Sequence, residues 1–309
     1  MSFFIREDPL TGYKSIIAST RSRRPHLLRE SIEEEPFQCP FCPGNETLTP
    51  EESLRIEDED GWIVRVIPNK FPAIPYMHDV IIDFREHTSD LDKMPHLSKL
   101  LWVYKERLKH FYTLDGVKYV SLFRNKGKSA GASIPHPHSQ IVGMPFYPTR
   151  FLREKEKYKN LGDSLMLSFL EGEISSQERI VHMSRNFCVL MAYAPITPYE
   201  VWIVPRRKIP SFIFEDSLDE LADVLKKTVR FLKFLLGSAL SYNVTFQSAP
   251  PWDGEYHYYI RIMPRLSVFG GFELGTGDVI IPVAPEEAAS ELRSVIYEEA
   301  VKVGEGDVK

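Results

Sequence analysis

Apolar and polar residues follow one another along this chain in two stretches that share one layout. The first stretch runs from Trp62 to Pro145 and the second from about Phe187 to Pro264. Each opens with two segments rich in β-branched residues, which favour strands: WIVRVIPNKFPAI and HDVIIDF, then FCVLMAYAPITPY and EVWIVPR. Each closes with two more strand-like segments, VKYVSLFRN and HSQIVGMP in the first stretch, SYNVTFQSA and HYYIRIMP in the second.

Between these pairs of strands, leucine and aromatic residues recur every three or four positions, which predicts one helix in each stretch. The apolar positions of the first helix are Leu97, Leu100, Leu101, Tyr104, Leu108 and Phe111. Those of the second are Leu218, Leu221, Leu225, Val229, Leu232 and Leu236.

A shared Met-Pro ending sets the register between the two stretches. Met144 and Met263 lie 119 residues apart, and that spacing puts His138 opposite His257. Strand-strand-helix-strand patterns also recur by chance, but the matched helices and the shared histidine favour a repeat. We therefore predict an α+β fold built from two copies of one unit, each an antiparallel sheet with a packed helix.

Composition limits the classes of function. The chain has 309 residues, which suits two domains of roughly 150 residues. Its net charge of −5 gives no bulk attraction to nucleic acid or anionic lipid, so a phosphate site must be a local cluster. The N-terminal MSFFIREDPLTGY lacks the apolar core of a signal peptide, and three cysteines are too few for a disulfide framework. We expect a cytoplasmic protein that binds neither nucleic acid nor a membrane.

The densest chemical signal is FRNKGKSAGASIPHPHSQIVGMP, residues 123–145. Strand alternation puts His136, His138 and Gln140 on one face. The loop upstream contains small residues that let backbone amides approach a phosphate closely: Gly127, Gly131 and Ser133. This combination predicts a phosphoryl-transfer site.

The residue types fit covalent transfer better than hydrolysis. An imidazole attacks phosphorus through one nitrogen when a hydrogen bond holds the other N–H. Gln140 cannot give up a proton, whereas hydrolysis with a poor leaving group needs an acid at such a position. A sugar phosphate leaves without that help, so a neutral amide donor to the phosphoryl oxygens is sufficient.

A second signal is CPFCPGNE, in which Cys39 and Cys42 form a C-x-x-C. The motif fits a zinc knuckle or a redox pair, and its prolines and glycine favour a tight turn over the helix start of a redox pair. A knuckle needs two further ligands, for which His136 and His87 are candidates. We expect ordinary polar or surface contacts for the other histidines: His26, His78, His96, His110 and His182.

A third signal is basic. Arg21, Arg23 and Arg24 fall within four consecutive positions, although the chain as a whole has a negative net charge. Such a local cluster of guanidinium groups suits phosphate recognition. A solvated charged turn is the alternative interpretation of this segment.

Together these motifs resemble the galactose-1-phosphate uridylyltransferase family, the transferase branch of the histidine-triad superfamily. The pattern N-x-G-x-x-x-G-x-S-x-P-H-P-H-x-Q is matched by Asn125, Gly127, Gly131, Ser133, His136, His138 and Gln140. The family usually has glycine before this glutamine, whereas this chain has Ser139. The resemblance implies two histidine-triad-like repeats: a catalytic domain at 1–150, a helical connector at 151–175 and a degenerate domain at 176–309.

The resemblance also implies roles for single residues. His138 would be the nucleophile, with Gln140 and Ser133 beside it. One zinc ion per chain would bind Cys39, Cys42, His87 and His136. Substrate would contact Arg21, Arg24, Asn69, Asn125, Gly131, Phe272 and Glu273. A homodimer with active sites near the subunit interface is expected.

Two departures from the family are visible. Many bacterial members bind a second metal through a glutamate and three histidines; Glu154 fits the glutamate. The other positions hold Gln247, Tyr259 and Arg261, so we expect no second metal. The hexose segment is Gly271–Glu273, with Ser267 and Val279 where the family has lysine and glutamine, so the family's sugar contacts are not all present in this sequence.

The predicted activity is exchange of uridylyl between UDP-glucose and galactose 1-phosphate through a covalent His138 intermediate. Its partners would then be small molecules, UDP-glucose and a hexose 1-phosphate. One alternative is a phosphorylase of the same mechanism acting on ADP-glucose or a dinucleoside polyphosphate. A more distant alternative is a non-catalytic nucleotide sensor.

Overall fold

The computed structural model describes residues 4–7, 14–17, 38–162 and 164–306. Its strands are β1 Phe4–Glu7, β2 Lys14–Ile17, β3 Leu54–Asp58, β4 Gly61–Pro68, β5 His78–Ile82, β6 Tyr119–Lys126, β7 His138–Met144, β8 Ile180–Met183, β9 Phe187–Met191, β10 Val201–Pro205, β11 Tyr242–Gln247 and β12 Tyr259–Pro264. Its α-helices are α1 Leu97–Phe111, α2 Thr149–Leu161, α3 Leu165–Ser176, α4 Leu218–Leu236, α5 Gly271–Thr276 and α6 Pro285–Gly306.

One antiparallel sheet of ten strands, β3 to β12, forms the centre of the described molecule, and β1 and β2 pair separately. Its order is β3-β4-β5-β7-β6-β11-β12-β10-β9-β8. Read outward from the β6–β11 pairing, the two halves have the same order, because β7, β5, β4 and β3 correspond to β12, β10, β9 and β8. The predicted α+β class with repeated sheets and packed helices is confirmed.

The sheet has different neighbours on its two faces. Helices α1 and α4 pack on one face, where Leu100 and Leu101 meet Leu225 and Val229 in the main apolar core. On the other face, Phe151 and Tyr158 of α2 pack in an apolar cluster with strands from both halves of the sheet, while Cys39 and Phe41 pack on β4 and β5. The domain boundaries near residues 150 and 175 stay a prediction. Among the described helices, none combines the length and apolar character of a membrane span.

Candidate functional site

His138 and Gln140 lie on the face of β7 that is turned away from α1, as strand alternation predicts. The Nδ1–H of His138 donates to the carbonyl oxygen of His136 at 2.8 Å. A neutral imidazole held in this way carries its lone pair on Nε2, the tautomer that a phosphorus nucleophile requires. His138 is buried.

A hydrogen-bond chain orients the Gln140 amide. The backbone N–H of Ala73 donates to Nδ1 of His78 at 2.9 Å, so neutral His78 carries its proton on Nε2. That nitrogen lies 3.1 Å from Oε1 of Gln140 and therefore donates to it. The Gln140 oxygen is engaged, which leaves its NH₂ group as the donor for a substrate.

His78 corrects the sequence analysis, which counted it among the surface and ordinary polar histidines. Its side chain is buried and bonds the predicted site residue Gln140. Strand alternation in HDVII puts His78 and Val80 on one face, and Val80 pairs with Gln140. That alternation was visible in the sequence, but it did not show which residues His78 would contact. Only the pairing of β5 with β7 brings His78 to Gln140.

A cavity of about 510 Å³ opens beside these residues. Its polar lining includes four residues that the sequence predicted: Asn69, Ser133, His138 and Gln140. Its apolar walls include Leu48, Ile67, Phe71, Val80 and Ile134. The Phe41 ring meets the His138 ring edge-on, with centroids 5.5 Å apart. An apolar pocket with a few convergent polar groups suits a nucleotide.

Other predicted substrate residues do not line this cavity in the described part of the chain. Asn125 accepts a hydrogen bond from Asn243 at 2.8 Å, and the Gly131 N–H donates to Lys128 at 2.9 Å. Phe272 and Glu273 lie in α5, where Phe272 is half exposed and Glu273 accepts from the Gly270 N–H. Their roles stay predictions, while Arg21 and Arg24 lie outside the described residues.

The glycine-rich loop needs glycine for a steric reason. Gly127 has φ +84°, and a Cβ there would lie 2.1 Å from Oγ of Ser241. The loop therefore packs directly against the second half of the sheet. Asn243 holds the same loop through a 2.8 Å bond to the Ala130 carbonyl.

Four side chains beside the cavity form the one Cys/His/acid cluster among the described residues that could hold a metal ion. The ligand atoms of Cys39, Cys42, His87 and His136 lie within 4.8 Å of one another. Cys42 Sγ is 3.2 Å from His87 Nδ1 and 3.6 Å from His136 Nδ1. Tetrahedral zinc would separate sulfur and nitrogen ligands by about 3.6 Å, so the donor set fits.

One histidine of this cluster is held in the protonation state that metal binding requires. His136 Nε2–H donates to the Phe84 carbonyl at 2.7 Å, which directs Nδ1 to the cluster. Burial lowers the pKa of His136 to about 4, so this imidazole is neutral, as ligation requires. Burial raises the pKa of the Cys39 thiol to about 11, and a bound cation would reverse that shift.

The positions of the family's second metal hold a hydrogen-bonded network in this chain. Glu154 accepts from Tyr259 at 2.8 Å and from Tyr256, and it pairs with Arg150 at 2.8 Å. Arg261 pairs with Glu200 instead, at 2.6 Å. The expectation that this chain binds no second metal stays a prediction.

Comparison with known proteins gives three kinds of relative. The N-terminal domain of DUF4931, a domain of unknown function, matches residues 21–146. ADP-glucose phosphorylase of Arabidopsis thaliana is 29% identical over 94% of this chain and 92% of its own length. Galactose-1-phosphate uridylyltransferase of Thermotoga maritima is 27% identical over 95% of this chain and 99% of its own length.

Solved structures agree with these relatives. The Arabidopsis ADP-glucose phosphorylase with bound ADP-glucose has a TM-score of 0.76 at 29% identity, covering 95% of this chain and 98% of its own. A uridylyltransferase structure has a TM-score of 0.78 at 27% identity, with the same coverage. The resemblance predicted from the motif is confirmed, and this chain is a relative of the galactose-1-phosphate uridylyltransferases and of ADP-glucose phosphorylase.

Proposed function

We propose that this chain transfers a nucleoside monophosphate through a covalent intermediate on His138. Nε2 of His138 attacks the α-phosphorus of a sugar nucleotide, and the sugar phosphate leaves with the bonding electrons. An acceptor phosphate then attacks the nucleotidyl-histidine and releases the nitrogen. The observation that carries this proposal is the His138 Nδ1–H bond to the His136 carbonyl, because it puts the lone pair on Nε2.

Gln140 supports transfer over hydrolysis. His78 donates to its oxygen, so its NH₂ group is the part that can donate to the phosphoryl oxygens. Such a donor stabilises the charge that develops on phosphorus but supplies no proton to a leaving group. A sugar phosphate or orthophosphate leaves without a proton, whereas an alkoxide would not.

The leading substrates are UDP-glucose and galactose 1-phosphate, on the strength of several uridylyltransferase relatives such as that of Thermotoga maritima. The second candidate is ADP-glucose with orthophosphate as acceptor, favoured by the Arabidopsis relative of similar identity. Both reactions use the same covalent step and differ in base and acceptor.

Intact-protein mass spectrometry tests the proposal directly. The protein is mixed with UDP-glucose or ADP-glucose, and the mass gained reports uridylyl or adenylyl on the chain. His138→Gly is the matched control and gains neither. Label exchange with galactose 1-phosphate or with orthophosphate then identifies the acceptor. A wild-type chain that gains no mass from either sugar nucleotide rejects the covalent mechanism and favours a nucleotide sensor.

We propose zinc for the Cys39–Cys42–His87–His136 cluster, with one ion per chain. Two thiolates and two imidazoles are typical ligands of structural zinc. The ion would join residues 39–42 to the segments before α1 and β7. It would thus fix the Phe41 wall of the cavity.

We also propose a homodimer in which the segment around α5 lies at the subunit interface. Large apolar side chains are exposed there, and such a patch marks an interaction surface: Leu266, Val268, Phe269, Phe272, Leu274 and Ile280. Light scattering of wild type and Leu274→Glu tests this proposal. A wild-type monomer, or a variant that stays dimeric, contradicts it.

A further inference from the structure

Asp83 contacts the chain on both sides of His138. Its backbone N–H donates to the carbonyl of Pro137 at 3.0 Å, and its Oδ2 accepts from the hydroxyl of Ser139 at 3.1 Å. The His138 ring itself is bonded to the carbonyl of His136, in the same segment. The direction of the ring therefore depends on how firmly residues 136–139 are held.

The carboxylate of Asp83 is fixed from two further elements. Arg124 of β6 donates to it through Nε at 2.9 Å, and Tyr104 of α1 donates at 3.3 Å and also contacts Ser139. Asp83, Arg124, Tyr104 and Ser139 are all buried. The network lies on the helix side of the sheet, behind the cavity.

This chain has a serine at a position where the resembled family usually has glycine. A glycine at this position would leave the bond between Asp83 and the Pro137 carbonyl in place but would remove the Ser139 side-chain contact. The second contact converts one attachment point beside His138 into two, one on each side. Attack on phosphorus demands close alignment, and a displacement of about 1 Å can cost on the order of a hundredfold in rate.

We propose that Asp83, acting through Ser139, is a positioning residue that holds His138 in line for attack. The inference rests on the proposed function, because it assumes that His138 is the nucleophile. It assigns no proton transfer to Asp83. The alternative is that the network stabilises the fold alone.

Two single-hydroxyl deletions separate these roles. Ser139→Ala removes the contact beside His138. Tyr242→Phe removes a hydroxyl from the far end of the same network, where it donates to Asp90 at 2.6 Å and accepts from Arg124 at 3.1 Å. Both side chains are fully buried. Thermal unfolding of the two variants measures the structural cost of each deletion.

The rate of nucleotide uptake by the protein, measured by rapid quench with the sugar nucleotide that labels wild type, is the main readout. We expect Ser139→Ala to lose about tenfold or more at saturation, with the half-saturating concentration changed by less than about twofold. Tyr242→Phe should keep a rate within about twofold of wild type. Equal loss in the two variants, or no loss in Ser139→Ala, overturns the inference.

Nitrogen NMR of the His138 ring gives a readout that does not depend on activity. Wild type should show one Nδ1–H tautomer, and Ser139→Ala should show a broadened or mixed one, whereas Tyr242→Phe should not. If wild type takes up no nucleotide, the proposed function fails, and the ring spectra still test whether Asp83 and Ser139 hold His138. Unchanged ring spectra in Ser139→Ala then reject the inference by themselves.

Discussion

The direction of two hydrogen bonds decides what the residues of this site can do. His138 donates through Nδ1 and His78 donates through Nε2, so one ring offers a lone pair and the other offers a proton. Both histidines are buried, and their neighbours rather than solvent fix these tautomers. The Oε1 of Gln140 accepts a hydrogen bond from His78, which leaves the Gln140 NH₂ group as a donor. At residue scale, the proposed chemistry thus uses one nucleophile and one neutral donor.

His138→Gly should abolish nucleotide uptake and transfer while the protein still folds. We expect a loss of stability of about 1–2 kcal/mol, from the removed ring and the glycine in a strand. Added imidazole should restore partial turnover by acting as a free nucleophile in the vacated space. Steady-state kinetics and thermal unfolding measure these effects, and wild-type rates in the variant would remove His138 from the mechanism.

Gln140→His should slow transfer and raise the share of hydrolysis. Losing one amide donor costs roughly 2–4 kcal/mol of barrier if it acts as a single oxyanion donor. The new imidazole adds a titratable group beside the leaving oxygen. The measurement is the ratio of nucleoside monophosphate released to sugar nucleotide formed, across about pH 6 to 8. An unchanged ratio and rate would make Gln140 a spectator.

At the scale of elements, residues 38–45, which contain Cys39 and Cys42, form turns and bends and pair with no strand of the sheet. Cys39 and Phe41 instead pack on Trp62, Ile67 and Val80 in a small apolar cluster. Two histidines from other segments complete the proposed metal site. The wall of the cavity therefore depends on ligands that are distant in sequence, which couples metal binding to local stability.

Cys39→Ser should lower metal content and melting temperature more than it alters the choice between uridylyl and adenylyl donors. Elemental analysis of wild type should give about one zinc per chain. Cys188→Ser is the matched control, because Cys188 is buried in the second half of the sheet, away from the cluster. That control should lose stability from packing and keep its zinc. Two tightly held metals in wild type would contradict the prediction from Gln247, Tyr259 and Arg261.

Across the whole molecule, one continuous sheet joins the two halves, so the backbone of each half is held in part by hydrogen bonds to the other. Strands β6 and β11 pair at its centre. The glycine-rich loop contacts the second half at two points, where Gly127 lies against Ser241 and Asn243 donates to the Ala130 carbonyl. The register predicted from the sequence sets His257 of the second half opposite His138 of the first. The Nε2–H of His257 donates to the Pro205 carbonyl at 2.9 Å, and the ring is buried. A buried neutral histidine makes the stability of the molecule depend on pH.

Burial lowers the pKa of His257 from 6.5 to about 4. The unfolded chain therefore binds more protons between these values, and the free energy of unfolding falls as pH drops from about 6.5 to about 4. His257→Gln should reduce this fall by about 2 kcal/mol between about pH 7 and pH 5. Denaturant unfolding at both pH values measures it.

The sequence by itself determined the repeat, the fold class and the group of residues around His138. These depend on local rules: period-two strands, helical spacing in α1 and α4, and a motif whose members lie within sixteen positions, from Asn125 to Gln140. The knuckle ligands His87 and His136 could also be named as candidates. Such features follow from neighbours along the chain, so pattern and spacing were enough.

The tertiary structure alone decided which distant side chains meet. No spacing indicated that His78 would orient Gln140, that Asp83 would reach both sides of His138, or that Ser241 would exclude a side chain at Gly127. The tertiary structure also showed that Asn125 and Gly131 form hydrogen bonds within the fold and that Phe272 lies on an exposed helix. These outcomes depend on the strand order β5-β7-β6-β11, because pairing between strands brings together residues that lie 60 to more than 100 positions apart. Periodicity specifies which face of a strand is buried, whereas only the packed sheet specifies what that face touches.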